Sequence, residues 1–163
     1  MKRILIYLIL VVTLYSCSKA DINQQDDNVP EEALLLYTGE HTIQEAELFS
    51  LINNHRLTIN LNKLTFDSTS YFYAQEHTEY MITKGHTSHA KFGERSQKIS
   101  KQTGAKNVSE NVAKDYDTIE IAFNAWLESN NHRKNIEGDY THSAISVKEN
   151  EEGDLYFTQL FFR

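Results

Sequence analysis

The chain has 163 residues, 23 acidic against 16 basic, and a net charge of −7 with histidine neutral. That balance argues against a nucleic-acid partner and against electrostatic adsorption to anionic lipid. One proline, six glycines and an 11 % aromatic share exclude disorder of the whole chain, and the single cysteine excludes an internal disulfide.

In chain order, Lys2 and Arg3 precede an apolar run from Ile4 to Leu14. The run falls short of the roughly 20 residues that span a bilayer as a helix, and it has the flanks of a signal-peptide core. It ends in Leu14-Tyr15-Ser16-Cys17, which resembles a bacterial lipobox. The resemblance implies cleavage after residue 16 and a lipid on Cys17, and hence an extracytoplasmic protein held to a bacterial membrane, in the periplasm or at the cell surface. The net charge of −7 becomes −9 once Lys2 and Arg3 leave with the leader. Residues 17–41 read as the lipidated cysteine and an acidic tether, with an apolar patch from Leu34 to Tyr37; some 20 flexible residues reach roughly 25 Å. Residues 42–163 are expected to form one domain.

Thr42 and Glu45 fit a capping box, and Leu48, Leu51, Ile52 and His55 then recur at helical spacing. Leu61 to Phe66 reads as an extended link. Asp67 or Ser68 caps a second helix, with Tyr71, Ala74, Thr78 and Met81 on one face and Gly85 as its stop. His86 to Gly104 reads as a polar loop with a short helix, and Lys91, Arg95, Lys98 and Lys101 as its solvated basic face. Ala105 to Val112 is predicted to be a strand. Asp117 and Glu120 fit a second capping box, opening a helix that buries Ile119, Ala122, Phe123 and Trp126. Thr141–Val147 and Leu155–Phe162 read as a hairpin turning at Gly153. This order predicts an α+β domain with a small antiparallel sheet.

Several stretches, in this order, resemble the CAP superfamily in its bacterial, SCP-like form, which includes the cysteine-rich secretory proteins. They are Ala74, His77 and Met81; Ser88-His89; Ser109-Glu110-Asn111-Val112-Ala113, similar to G-E-N-[IL]-A; Trp126-Leu127-Glu128-Ser129 with His132-Arg133-Lys134-Asn135-Ile136, similar to W-x-x-S-P-G-H-R-x-N-I; and Tyr140-Thr141-His142 with Phe157 to Phe161. The resemblance covers residues 43–162. It implies a three-layer α-β-α sandwich. It also implies a cleft lined by two histidines and two acids, which in some members holds a divalent metal such as zinc.

Carried over position by position, His89 matches the first histidine and Glu110 the first acid. Ser129 stands where the second acid is expected, with Glu128 one place early, and Asp139 stands where the second histidine is expected. His132 and His142 are the candidate substitutes, so the expected cleft set is His89, Glu110, Glu128, His132 and His142, with His89 and His142 as candidate metal ligands. Strand alternation places Glu110 beside Val108 and Val112, and an acid on an apolar face needs a partner, for which His89 is the natural candidate. His132, behind Asn130 and Asn131 at a helix end, reads equally as a dipole partner or a cleft residue. His142 is expected on the face of Tyr140, and His77 reads as a satisfied core histidine. No H-E-x-x-H or nucleophile-elbow pattern occurs, and the only cysteine is assigned to the anchor. The leading expectation is a non-catalytic module whose cleft binds a lipid, glycan or protein ligand. The alternatives are a metal-dependent hydrolase or peptidase of the cell envelope and an adhesin with a vestigial cleft.

Overall fold

A computed structural model describes residues 40–163. The leader, Cys17 and the Leu34–Tyr37 patch lie outside the described residues. The elements are α1 (Ile43–Thr58), β1 (Thr65–Phe66), α2 (Ser68–Lys84), α3 (Phe92–Thr103), β2 (Val108–Lys114), α4 (Ile119–Glu128), α5 (Asn130–Ile136), β3 (His142–Glu149) and β4 (Leu155–Phe162). Among the described residues no helix is long and apolar enough to cross a membrane.

The sheet order is β1-β3-β4-β2. The β3–β4 hairpin and the β2–β4 pair are antiparallel, with Glu110 opposite Leu160 and His142 opposite Phe162. The expected antiparallel sheet is corrected at one edge: the link at Thr65 and Phe66 pairs with β3 in parallel, so the sheet is mixed. Two residues cover little of the β3 edge, and side chains cover more. Ile145 N–H donates to His41 Nε2 at 3.0 Å and Val147 N–H to Glu45 Oε1 at 2.9 Å. Unpaired edge donors would otherwise cost free energy. Glu45 therefore does more than close the capping box with Thr42, since the Oε2 that accepts from Thr42 N–H also accepts the Tyr71 hydroxyl at 2.6 Å.

Sheet alternation sorts the core into two faces. On one, α1, α4 and α5 build a single cluster around Leu48, Ile52, Trp126, Ile136, Ile145, Phe157 and Phe161. On the other, α2 and α3 cover two separate clusters, one holding Ala74, Ile99, Leu160 and Phe162, the other Met81, Val112 and Tyr156. The result is the three-layer sandwich.

Local signals explain most element ends. Asp67 caps α2 by accepting from Ser70 N–H at 2.7 Å, and Gly85 closes it in the left-handed conformation (φ 72°). Four expectations change. The region after His86 forms a 12-residue helix rather than a loop with a short one. β2 begins at Val108, because Lys106 and Asn107 give their N–H groups to the Arg163 carbonyl. Thr118, not Asp117, caps α4, so Glu120 closes no box. Extended backbone at Ser129 ends α4, and a new helix starts at once, placing His132 inside α5 rather than beyond a helix end.

Candidate functional site

Glu110 is the third residue of β2 and shares its sheet face with Val108, Val112 and Leu160, as alternation predicts. Its side chain is 1 % exposed. Three groups meet it. His89, just before α3, donates Nδ1–H to Oε1 at 2.8 Å and leaves its ring 57 % exposed. Arg95, from the first turns of α3, places Nε at 2.8 Å and Nη2 at 2.5 Å from Oε2. His77 of α2 lies 3.8 Å from Oε1 and hydrogen-bonds the Ser88 carbonyl through Nε2 at 2.6 Å. A buried carboxylate is tolerated only with charge and hydrogen-bond partners of this kind.

The electrostatics separate the histidines. The hydrogen bond to Glu110 raises the His89 pKa above the ordinary value, against the opposing effect of burial. Burial lowers His77, with Glu110 opposing. Burial also lowers His132, and repulsion from His89 adds to it. His89 is thus the histidine poised to carry charge, presented to solvent on a fixed carboxylate.

On the other side of β2, α5 is pinned to the strand's free edge. Asn135 Nδ2 donates to the Glu110 carbonyl at 3.1 Å and to Asn111 Oδ1 at 2.8 Å. Asn111 Nδ2 donates to the His132 carbonyl at 3.1 Å. The buried Arg56 guanidinium braces the same region, donating to the carbonyls of Asn62, Ile136, Gly138 and Tyr140.

The expected cleft set is only partly assembled. His89 and Glu110 touch, and His132 lies within electrostatic reach of His89. Glu128 ends α4 with its side chain exposed. His142 stacks on Phe162 with ring centroids 4.7 Å apart and is hydrogen-bonded through Nδ1 to the Thr141 hydroxyl at 2.8 Å. β4 stands between its strand and β2, a separation of about 10 Å. Nor does it share a face with Tyr140, whose ring packs on Phe161 on the opposite side of the sheet. The pairing of His89 with His142 as metal ligands is therefore not formed.

The donor set also fits a divalent metal poorly. Among the described residues no three His, Cys, Asp or Glu side chains are grouped to hold one. The guanidinium of Arg95 already neutralises the Glu110 carboxylate through Oε2, and His89 bonds Oε1.

Arg95 is the site residue that sequence reading missed. Its place in the basic series Lys91, Arg95, Lys98, Lys101 suggested solvent. The signal that finds it is Ile99, one turn on and fully buried, which puts Arg95 on the inward face of α3.

A family model for the cysteine-rich secretory protein family, CAP, matches residues 49–161. The chain belongs to the CAP family. It is 29 % identical over 126 residues to the "Uncharacterized membrane protein YlbC" of Bacillus subtilis (strain 168), an alignment covering 75 % of this chain and 35 % of that protein. The chain thus spans about a third of that relative's length. Among solved structures, an outer surface protein from Borrelia burgdorferi superposes with a TM-score of 0.67 at 24 % identity, over 76 % of this chain and 96 % of that one. An extracellular SCP-domain protein from Bacillus anthracis str. Ames gives 0.64 at 24 % identity, over 82 % and 50 %. These likenesses show the fold. Within this CAP domain the two unmatched tetrad positions are otherwise engaged: Ser129 forms the break between α4 and α5, and Asp139 is ion-paired with Arg163 at the surface.

Proposed function

We propose that this protein is an envelope-tethered CAP domain that acts as a non-catalytic binding module, presenting His89 and its surroundings to a lipid, glycan or protein ligand. The observation that carries this reading is the state of Glu110. Both carboxylate oxygens are committed, one to His89 and one to Arg95, inside a site that is 1 % exposed. A general base needs a free oxygen within reach of a substrate proton, and a metal ligand needs one facing the ion. Glu110 offers neither. It instead orients His89, whose exposed ring supplies a hydrogen-bonding and partly charged contact for a ligand.

The reading includes the anchor. A lipid on Cys17 with the acidic tether would hold the domain within tens of ångströms of a bacterial membrane. The membrane and extracytoplasmic descriptions of the relatives agree with that placement.

Three experiments test the proposal. His89→Ala should abolish or weaken binding of envelope ligands recovered with the wild-type protein. Hydrolysis of an envelope substrate that is lost in both His89→Ala and Glu110→Gln would establish the hydrolase alternative instead. For the anchor, Cys17→Ser should abolish metabolic labelling with fatty acid, and unchanged labelling would refute it.

A further inference from the structure

We infer that the groove between α5 and the edge of β2 binds an acidic saccharide, a sugar chain bearing carboxylate or phosphate groups. The groove lies across β2 from His89, so it is a second surface beyond the His89 site, with a ligand class of its own. The groove has a volume of about 840 Å³, within the roughly 300–1,000 Å³ range of small-ligand sites. Its lining includes Asn131, Arg133, Lys134, Asn135, Ser109 and Tyr140, and no aliphatic side chain. That composition is wrong for a fatty acyl chain or an apolar peptide face. Amides, a hydroxyl and a phenol alternate donors and acceptors as vicinal sugar hydroxyls require.

The floor is built before any ligand arrives. Asn135 is held by the Glu110 carbonyl and Asn111. Arg133 is held by the Leu127 carbonyl and Asn130. The Tyr140 hydroxyl meets Ser109 Oγ at 2.5 Å, and Gly138 is glycine where a Cβ would strike the Tyr140 ring. Over this floor Asn131 and Lys134 stand exposed, with no hydrogen bond or ion pair among the described residues. Preorganised partners beneath free polar groups reduce the ordering cost of binding.

Charge selects the acidic sugar. The groove carries Arg133 and Lys134 against Glu137, and Glu137 is itself bonded to His55 at 2.9 Å. On a chain of net charge −7 this is a locally positive groove.

The test is calorimetric titration of the full chain with hyaluronan hexasaccharide, an alternating uronic acid and amino sugar, and with uncharged chitohexaose. The acidic sugar should bind and the uncharged one bind markedly less. Lys134→Glu should weaken binding about tenfold, the scale of a single lost contact, Asn131→Ala should weaken it severalfold, and Lys84→Glu on α2 should leave it unchanged. Both groove variants are on exposed positions and should fold as wild type by circular dichroism. Equal binding of both sugars, wild-type affinity in Lys134→Glu, or no binding of hyaluronan at millimolar concentration would each overturn the assignment. Cleavage of the bound sugar would refute the non-catalytic reading while leaving the groove in place.

Discussion

The two faces of the sheet are built on different terms. The face under α1, α4 and α5 is one continuous apolar cluster from Leu48 to Phe161. The face under α2 and α3 is broken in two, and Glu110 stands at the break, between Val108 with Leu160 on one side and Val112 with Tyr156 on the other. A second buried polar contact, Thr78 to Thr158 at 2.9 Å, continues the seam. The first face is the packed one, and the second carries the candidate site. The first face holds the fold by packing around one buried polar row, Asn111 opposite Gln159 with Gln159 bonded to Ser143 at 3.1 Å, which matters in a chain with no disulfide. The second gives up continuous packing to seat a carboxylate that fixes one exposed imidazole.

The largest expected effect breaks the continuous face. Trp126→Ala should cost about 3–5 kcal/mol of stability in chemical denaturation, as large-to-small core changes do. On the seam, Arg95→Met alone should cost about 3 kcal/mol, because it strands a buried carboxylate. The double variant Arg95→Met/Glu110→Leu should recover most of that loss, since apolar replacement of a buried pair is commonly neutral or stabilising. Failure to recover would mean that the seam is structural rather than retained for binding.

Smaller effects follow from pH. Burial lowers the His41 pKa from 6.5 to about 4, and its Nε2 accepts from Ile145 N–H. The unfolded chain takes up that proton first as pH falls. The stabilisation is therefore complete above about pH 6.5 and is lost towards pH 4, on the order of 2 kcal/mol after allowance for partial exposure. His41→Ala should flatten this limb in denaturation measured across pH. His89 has the opposite sign: its raised pKa gives a contribution present below 6.5 and lost as pH rises through the raised value. His89→Ala should remove that trend and change stability by less than about 1 kcal/mol, because the ring is largely in solvent.

What could be read from sequence follows the range of the interactions. Helix caps at Thr42 and Asp67, the stop at Gly85 and the inward face of Glu110 depend on near neighbours, and all were legible. The parallel pairing of Thr65 and Phe66 was not, because two residues carry no period and their partner is more than 70 positions away. Arg95 was misread because its burial is decided by a carboxylate on another element. His142 was placed on the wrong side relative to Tyr140 because that residue lies before the strand begins, where alternation has no force. The Ser129 break likewise left no local sign that a further helix would carry His132.

Arg95 and His89 both hold the Glu110 carboxylate, and the proposed binding role rests on that arrangement. Zinc titration of the full chain by calorimetry at pH 7.5, beside Glu110→Gln, tests it most directly. No zinc binding that depends on Glu110 is expected. One-to-one zinc binding in the wild type that disappears in Glu110→Gln would contradict it.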